Sequence, residues 1–167
     1  MIRKATPADV PVIAAIINDA AEAYRQVIPA DRWHEPYMPD DELAAEIAAG
    51  VTFWVAEEGG QVIGVMGIQD KADVALVRHG YTATSAQRKG IGTQLLRHLE
   101  TLVDKPVLIG TWADATWAID FYLRNGFTLV PAAEKDRLLR IYWSIPDRQA
   151  ETSVVLADQR WVHRHHR

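Results

Sequence analysis

Three β-strand patterns in succession between residues 51 and 83 constrain the fold more than any other feature of the sequence. Residues 51–56, 62–68 and 74–83 are rich in β-branched and aromatic side chains, and short segments containing Gly59-Gly60 and Asp70 separate them. Consecutive strands joined by such short turns pair in antiparallel fashion, so this region is predicted to be a meander. The hydrophobic period then changes, because residues 90–103 carry leucine and isoleucine at helical spacing.

The remaining segments alternate between helical and strand patterns. Helices are predicted from Pro7 toward Tyr24, at 40–50, at 90–103 and from Asp114 to Asn125, and strands at 3–5, 107–111, 127–130 and 152–156. Thr6 is expected to cap the first helix and Asp114 the fourth, whereas the proline-rich stretch 29–39 is expected to be a loop or irregular turn. This order predicts an α/β fold with one mixed sheet and about four flanking helices, forming a single domain over residues 1–167.

Composition narrows the class of protein. The chain has 167 residues, of which 49% are hydrophobic and 24% charged, as in a globular domain. It has no cysteine, so disulfides and cysteine-ligated zinc are excluded, and it has neither a membrane-length apolar run nor a signal-peptide pattern. We therefore expect a cytoplasmic protein that does not bind membranes. A net charge of −4 argues against a nucleic-acid partner.

The segment Gln87-Arg88-Lys89-Gly90-Ile91-Gly92-Thr93 carries the clearest chemical signal. It follows a predicted strand and opens a predicted helix, where unpaired N–H groups and the helix dipole favour an anion. The segment lacks the lysine and serine or threonine of a Walker loop and the third glycine of a dinucleotide fingerprint. These residues predict a pyrophosphate cradle for a ligand other than ATP or NAD, while an ordinary strand-to-helix turn remains the alternative.

Two motifs resemble the GNAT N-acetyltransferase superfamily. Gln87-x-x-Gly90-x-Gly92 is similar to that family's Gln/Arg-x-x-Gly-x-Gly/Ala signature, and Ala118-x-x-Phe121-Tyr122-x-x-x-Gly126-Phe127 is similar to a second family segment. The resemblance covers roughly residues 2–157 and implies the family fold, with splayed central strands. It also implies that acetyl-CoA, or another acyl-CoA, is the acyl donor.

The resemblance further implies which residues hold the donor. The cofactor-binding residues would be Thr82, Ala83, Thr84, Gln87, Arg88, Lys89, Gly90, Ile91, Gly92, Thr93 and Phe121. Residues 82–84 would pair with the pantetheine arm, and Arg88 to Thr93 would hold the pyrophosphate. Tyr122 would be the catalytic acid that protonates the departing CoA thiolate. No metal site is expected.

The sequence departs from the family pattern at three positions. Thr84 replaces a frequent proline and Ala115 a frequent asparagine, which puts the local strand pairing and one contact to the pantetheine arm in doubt. Leu76 stands where some family members carry a glutamate base. His79, Glu22, His34 and Glu35 are alternative bases, each with a structural or solvated role as the competing reading, and a water-relayed proton path is the working hypothesis.

Several further assignments stay open at this point. Tyr24, Trp33, Tyr37 and Trp54 either line an acceptor pocket or pack structurally, and the stretch 134–148 is expected to include a short helical turn that shapes the acceptor cleft. Residues 158–167, with their histidines and arginines, are expected to be a frayed tail. A homodimer is possible through the last strand and Trp161.

Two functions from different classes fit these expectations. The first is an enzyme that transfers an acetyl group from acetyl-CoA to a primary amine of a small molecule or a protein, by direct attack in a ternary complex. The second is a non-catalytic acyl-CoA-binding module.

Overall fold

The computed structural model describes residues 1–86, 90–143, 145 and 147–165. Within them, seven strands form one sheet in the order β1-β2-β3-β4-β5-β7-β6. The strands are β1 (Ile2–Lys4), β2 (Val51–Glu58), β3 (Gln61–Lys71), β4 (Val74–Thr82), β5 (Val107–Trp112), β6 (Thr128–Leu129) and β7 (Ser153–Ala157). The helices are α1 (Val10–Ala21), α2 (Asp40–Ala48), α3 (Ile91–Thr101), α4 (Thr116–Arg124), α5 (Ala132–Leu138), α6 (Asp147–Glu151) and α7 (Gln159–His165).

The chain divides into two compact units, Met1–Asp70 with Val77–Asp104 and Lys71–Leu76 with Lys105–Arg167. In the first unit, β2 pairs antiparallel with β1 on one side and with β3 on the other. The inward-facing residues of β2, including Phe53 and Val55, pack against Ile13 and Ile17 of α1 and Leu43 of α2. Alternation along β2 places these side chains on one face, whereas β3 is buried continuously from Gly64 to Gln69.

In the second unit, β7 pairs antiparallel with both β5 and β6, although β6 precedes it in the sequence. The core of this unit contains Leu76, Leu108, Leu138, Val155 and Trp161. Leu76 is fully buried there, which gives this position a packing role.

The predicted fold class is confirmed, with three local corrections. The structure gives seven helices in the part of the chain that it describes, not about four, because the stretch expected to hold one short helical turn folds into α5, a π-turn at Leu139–Trp143 and α6. Asp114 was expected to be the N-cap of the fourth helix, but Ala115 occupies that position and the helix begins at Thr116. The splay of the central strands and the single-domain boundary stay predictions.

The third correction concerns the C-terminal tail. Residues 159–165 form α7, where the sequence indicated a frayed end. Trp161 is only 3% exposed within the core of the second unit, and its backbone N–H donates to Asp158 Oδ1 at 3.2 Å. Burial of a large aromatic ring holds this segment in place, an effect that its polar composition conceals.

Candidate active site

The end of β4 presents the residues expected to meet the pantetheine arm. The Ala83 N–H donates to the Ile63 carbonyl of β3 at 2.8 Å, so strand pairing continues one residue past Thr82. The Thr84 N–H donates to Asp19 Oδ2 of α1 at 3.2 Å. The backbone N–H of Thr84, which a proline at this position would lack, therefore has a hydrogen-bond partner. Through this bond α1 contacts the chain where the turn Thr84–Ala86 begins.

The first turn of α3 provides the expected anion-binding groups. Gly90 is the N-cap and has a φ of 75°, in the left-handed region that favours glycine. The first intrahelical hydrogen bond runs from the Gln94 N–H to the Gly90 carbonyl at 3.1 Å. The N–H groups of Ile91, Gly92 and Thr93 therefore precede the first donor that the helix itself satisfies. Gln87, Arg88 and Lys89 lie outside the described residues.

Gly64 of β3 brings α3 close to the sheet. A Cβ atom at this position would lie 2.7 Å from Ile91 Cγ2 and 3.3 Å from Leu95 Cδ1. Ile91 and Leu95 are buried on the inner face of α3. The absence of a side chain at residue 64 thus sets how closely the first turn of α3 approaches the strands.

Tyr122 lies on α4 in the second unit. Tyr122 is 7% exposed, and its ring packs edge-on against Phe121 at a centroid distance of 5.0 Å and at a tilt against Phe127 at 5.9 Å. The Asn125 side chain closes the helix by donating to the Phe121 carbonyl at 2.8 Å. Ala115, where the family often has asparagine, is fully buried.

A polar cluster that the sequence analysis missed lies in the first unit. Glu46 of α2 accepts from His79 Nε2 of β4 at 2.8 Å and pairs with Arg78 Nη2 at 3.2 Å. Arg78 Nη1 also donates to Gln69 Oε1 of β3 at 3.1 Å. Nothing in the sequence marked Glu46, because it sits among other acidic and alanine residues of a short amphipathic helix.

The aromatic candidates separate into two groups. Trp33 stacks on Tyr37 at 5.5 Å, and Arg25 lies over the Trp33 ring while pairing with Glu22 and Glu35. Trp54 is not part of this group, because it packs against His98 of α3 at 4.5 Å, on the face of β2 opposite Phe53.

Tyr24 meets Tyr81 of β4 edge-on at 5.9 Å. His34 is exposed and contacts the Pro36 carbonyl through Nδ1 at 2.9 Å. Residues 24–37 thus form a half-exposed aromatic and charged segment in the first unit.

The described part of the chain shows neither a metal-binding cluster nor a membrane-length helix. Across the described ranges there is no group of three or more metal-ligating side chains. No helix within those same residues is long and apolar enough to cross a bilayer.

Known structures share the fold. The PaiA N-acetyltransferase of Thermoplasma acidophilum, solved with coenzyme A, superposes with a TM-score of 0.72 at 17% identity, covering 95% of this chain and 97% of its own. The ribosomal-protein-alanine N-acetyltransferase of Brucella melitensis gives 0.59 at 25% identity, over 78% and 86%. The ribosomal-protein-S18-alanine N-acetyltransferase of Escherichia coli gives 0.64 at 18% identity, over 95% and 92%.

Sequence comparison points the same way. No curated protein sequence matches the chain significantly. The family model for the acetyltransferase (GNAT) domain matches residues 49–129, which run from β2 to β6 and include both motifs. The segment 49–129 of this chain therefore matches the family that the two motifs resemble.

Proposed function

We propose that the protein transfers the acetyl group of acetyl-CoA directly to a primary amine. The observation that carries this proposal is the start of α3, where the left-handed Gly90 caps the helix that follows β4 and the turn Thr84–Ala86. Three consecutive N–H groups in the first helical turn suit a pyrophosphate, since they add hydrogen bonds to the positive end of the helix dipole. Thr82, Ala83 and Thr84 would pair with the pantetheine arm, as the family resemblance implies.

Acetyl transfer from a thioester to an amine has three chemical requirements. A lysine-like amine has a pKa near ~10.4, so it must lose a proton before it attacks the thioester carbon. The tetrahedral oxyanion needs a donor, for which a backbone N–H near Thr82 is our candidate. The departing thiolate has a pKa near ~8.5 by analogy with cysteine and gains from an acid, a role we assign to Tyr122.

The acceptor is a primary amine of a small molecule or of a protein. Two of the structural relatives are named for acetylating the alanine of a ribosomal protein, which makes a protein N-terminus one candidate class. We place the reaction in the cytoplasm on the strength of the cysteine-free composition, and we keep a homodimer as a working assumption.

Thermal unfolding with acetyl-CoA, CoA and NADH tests donor binding. A ligand at ~100-fold its dissociation constant stabilises a protein by ~2.7 kcal/mol, which raises the melting temperature by several degrees in a domain of this size. We expect a shift with acetyl-CoA and CoA and none with NADH. Amines are then screened for release of free CoA, and the absence of any shift with both CoA species would remove the basis of the proposal.

One observation favours a second candidate, a non-catalytic acyl-CoA-binding module. Leu76 occupies the position where some family members carry a glutamate, and it is fully buried among apolar side chains. Binding of CoA without turnover of any amine would select this reading.

A further inference from the structure

His79 breaks the regular geometry of β4. Its φ is 54°, in the left-handed region, whereas a regular strand residue has a strongly negative φ. In a regular strand, adjacent side chains point to opposite faces. Here Arg78 and His79 both reach the same Glu46 oxygen, at 3.2 Å and 2.8 Å. The left-handed residue therefore turns two neighbouring side chains toward one carboxylate of α2.

The cluster is largely shielded from solvent. The side chains of His79, Glu46 and Arg78 are 14%, 17% and 28% exposed. Burial by itself raises the pKa of Glu46, but the hydrogen bond from His79 and the positive charge of Arg78 outweigh it, so the pKa lies below its usual range. Glu46 is thus a carboxylate at neutral pH.

The carboxylate fixes which imidazole nitrogen is available. Because Glu46 accepts from Nε2–H, the neutral ring carries its lone pair on Nδ1. No hydrogen bond to Nδ1 is found among the residues that the structure describes. Phe53 of β2 packs on the ring at a centroid distance of 6.1 Å and restricts its rotation. The imidazole is held in one orientation, with an acceptor nitrogen left for another partner.

This imidazole lies close to the expected thioester along the same strand. His79 precedes Thr82 by three residues, which is about 10 Å at the usual rise of a β-strand. Both residues belong to the first unit, as does the first turn of α3. A distance of this order is spanned by the acceptor amine and one bridging water.

We propose that His79 is the general base of the transfer, and that Glu46 and Arg78 are positioning residues that orient it. The inference rests on the proposed acetyltransferase function. Nδ1 accepts a proton from the acceptor amine, directly or through one water, as the C–N bond forms. The C–S bond then breaks with its electron pair on sulfur, and the thiolate takes a proton from Tyr122. The imidazolium releases its proton to solvent, and the tyrosinate regains one from solvent.

The first test replaces the base and keeps the backbone. Asparagine tolerates the left-handed region and offers an amide to Glu46, yet it does not accept a proton at neutral pH. For His79→Asn we expect kcat/KM for the amine to fall by ~10²–10⁴, with the thermal shift by CoA unchanged. The matched control is His163→Asn on α7, an exposed histidine of the second unit, which should retain wild-type kinetics.

The second test has readouts that a purely structural role would not move. In His79→Gly, added imidazole should restore part of the lost rate. The wild-type rate should fall at acid pH, and this acid limb should be absent in His79→Asn. Among the described residues, the charged groups of this cluster are Glu46 of α2 and Arg78 of β4, and the ring also packs against the uncharged Phe53. Glu46→Gln should move the acid limb to lower pH, because the imidazolium loses its negative neighbour.

Each outcome is decisive. An active wild-type enzyme with an equally active His79→Asn variant overturns the assignment of the base but leaves the proposed function standing. Lost activity in His79→Asn with an unchanged acid limb and no rescue of His79→Gly also overturns it, and reduces the cluster to an ion pair that supports folding. A wild-type protein that binds CoA and turns over no amine overturns the transferase function and this inference together.

Discussion

At the scale of single residues, Gly64 shows how an absent side chain shapes the candidate site. The strand β3 passes so close to α3 that a methyl group at residue 64 would overlap Ile91. Ile91 follows Gly90 directly and is the first residue of the helix. The absence of a side chain at residue 64 thereby sets the distance between β3 and the N-terminal end of α3, which we expect to bind pyrophosphate.

Gly64→Ala should therefore affect both stability and CoA binding. Overpacking of this kind costs about 1–3 kcal/mol, and relief by outward movement of α3 should weaken the thermal shift by CoA. Combining it with Ile91→Ala, which removes the overlapping methyl group, should give a loss smaller than the sum of the single losses. Denaturant unfolding measures both quantities, and strictly additive losses would show that the contact is not the cause.

Tyr122→Phe tests the assigned acid while preserving the ring. We expect the aromatic packing against Phe121 and Phe127 to survive, so the melting temperature and CoA affinity should hardly change. The turnover number should fall by ~10², since a thiolate leaves tolerably well without an acid. Steady-state kinetics with an unhindered amine decides the matter, and wild-type turnover in the variant would dismiss Tyr122 as the proton donor.

At the scale of elements, the junction between β1 and α1 is fixed by one carboxylate. Asp9 accepts from the Thr6 N–H at 2.7 Å and from both Nη1 and Nη2 of Arg3, at 2.8 and 3.0 Å. The side-chain hydrogen bonds from Arg3, followed by the bond from the Thr6 backbone, hold the pKa of Asp9 well below its usual range. The first strand and the turn before α1 are thus joined by a single ionised group.

This junction should make stability depend on acid pH. A depressed carboxyl pKa contributes stability above the unfolded value near ~3.9, and the contribution is lost as pH falls below that value. Asp9→Asn should therefore lower the melting temperature at pH 7, and the difference from wild type should shrink below about pH 4. Melting curves at several pH values test this, with the exposed Asp31→Asn as control; a difference that stays constant with pH would refute it.

The C-terminal helix should also contribute to stability. Trp161 is buried in the core of the second unit. Trp161→Ala should cost about 3–5 kcal/mol, as is usual for the truncation of a large buried aromatic ring, whereas Val162→Ala on the half-buried side of α7 should cost far less. Equal effects of the two substitutions in denaturant unfolding would mean that α7 does not hold its place in solution.

The elements differ in how far the sequence revealed them. Strands β2, β3 and β4 were predicted within a few residues, because runs of β-branched and aromatic residues bounded by turn residues are a local signal. The helical stretch after residue 131 and α7 were missed, since their few apolar residues become informative only when the core they enter is known. The Glu46–His79 pair was also missed, because two residues 33 positions apart meet only through the tertiary fold.

At the scale of the whole molecule, sequence similarity and folding have different boundaries. The family model ends at residue 129, but β7 lies at Ser153–Ala157 and pairs with both β5 and β6. The core of the second unit draws Leu138, Val155 and Trp161 from beyond that boundary. Stability of the second unit therefore depends on a segment that the family model does not include.

A chain that stops at residue 130 should consequently fail to form a native second unit. Without β7, the strand β5 loses five paired positions and exposes an edge. We expect this short chain to lose its cooperative thermal transition. We also expect it to self-associate and to elute as larger species in size-exclusion chromatography. A chain that stops at residue 165 is the control, and a monomeric, cooperatively melting short chain would contradict the expectation.

The order of strands in the second unit has a consequence for the timing of synthesis. One of the two neighbours of β5 in the sheet is β7, and residues 113–152 must be made between these two strands. At a synthesis rate of about 5–20 residues per second, this takes roughly 2–8 s. During that time the edge of β5 that later pairs with β7 is unpaired. During this interval the apolar residues Val107, Leu108 and Ile109 of the newly made β5 lie beside an unpaired strand edge. Correct folding of the second unit therefore requires that no other chain pairs with this edge before β7 has been made.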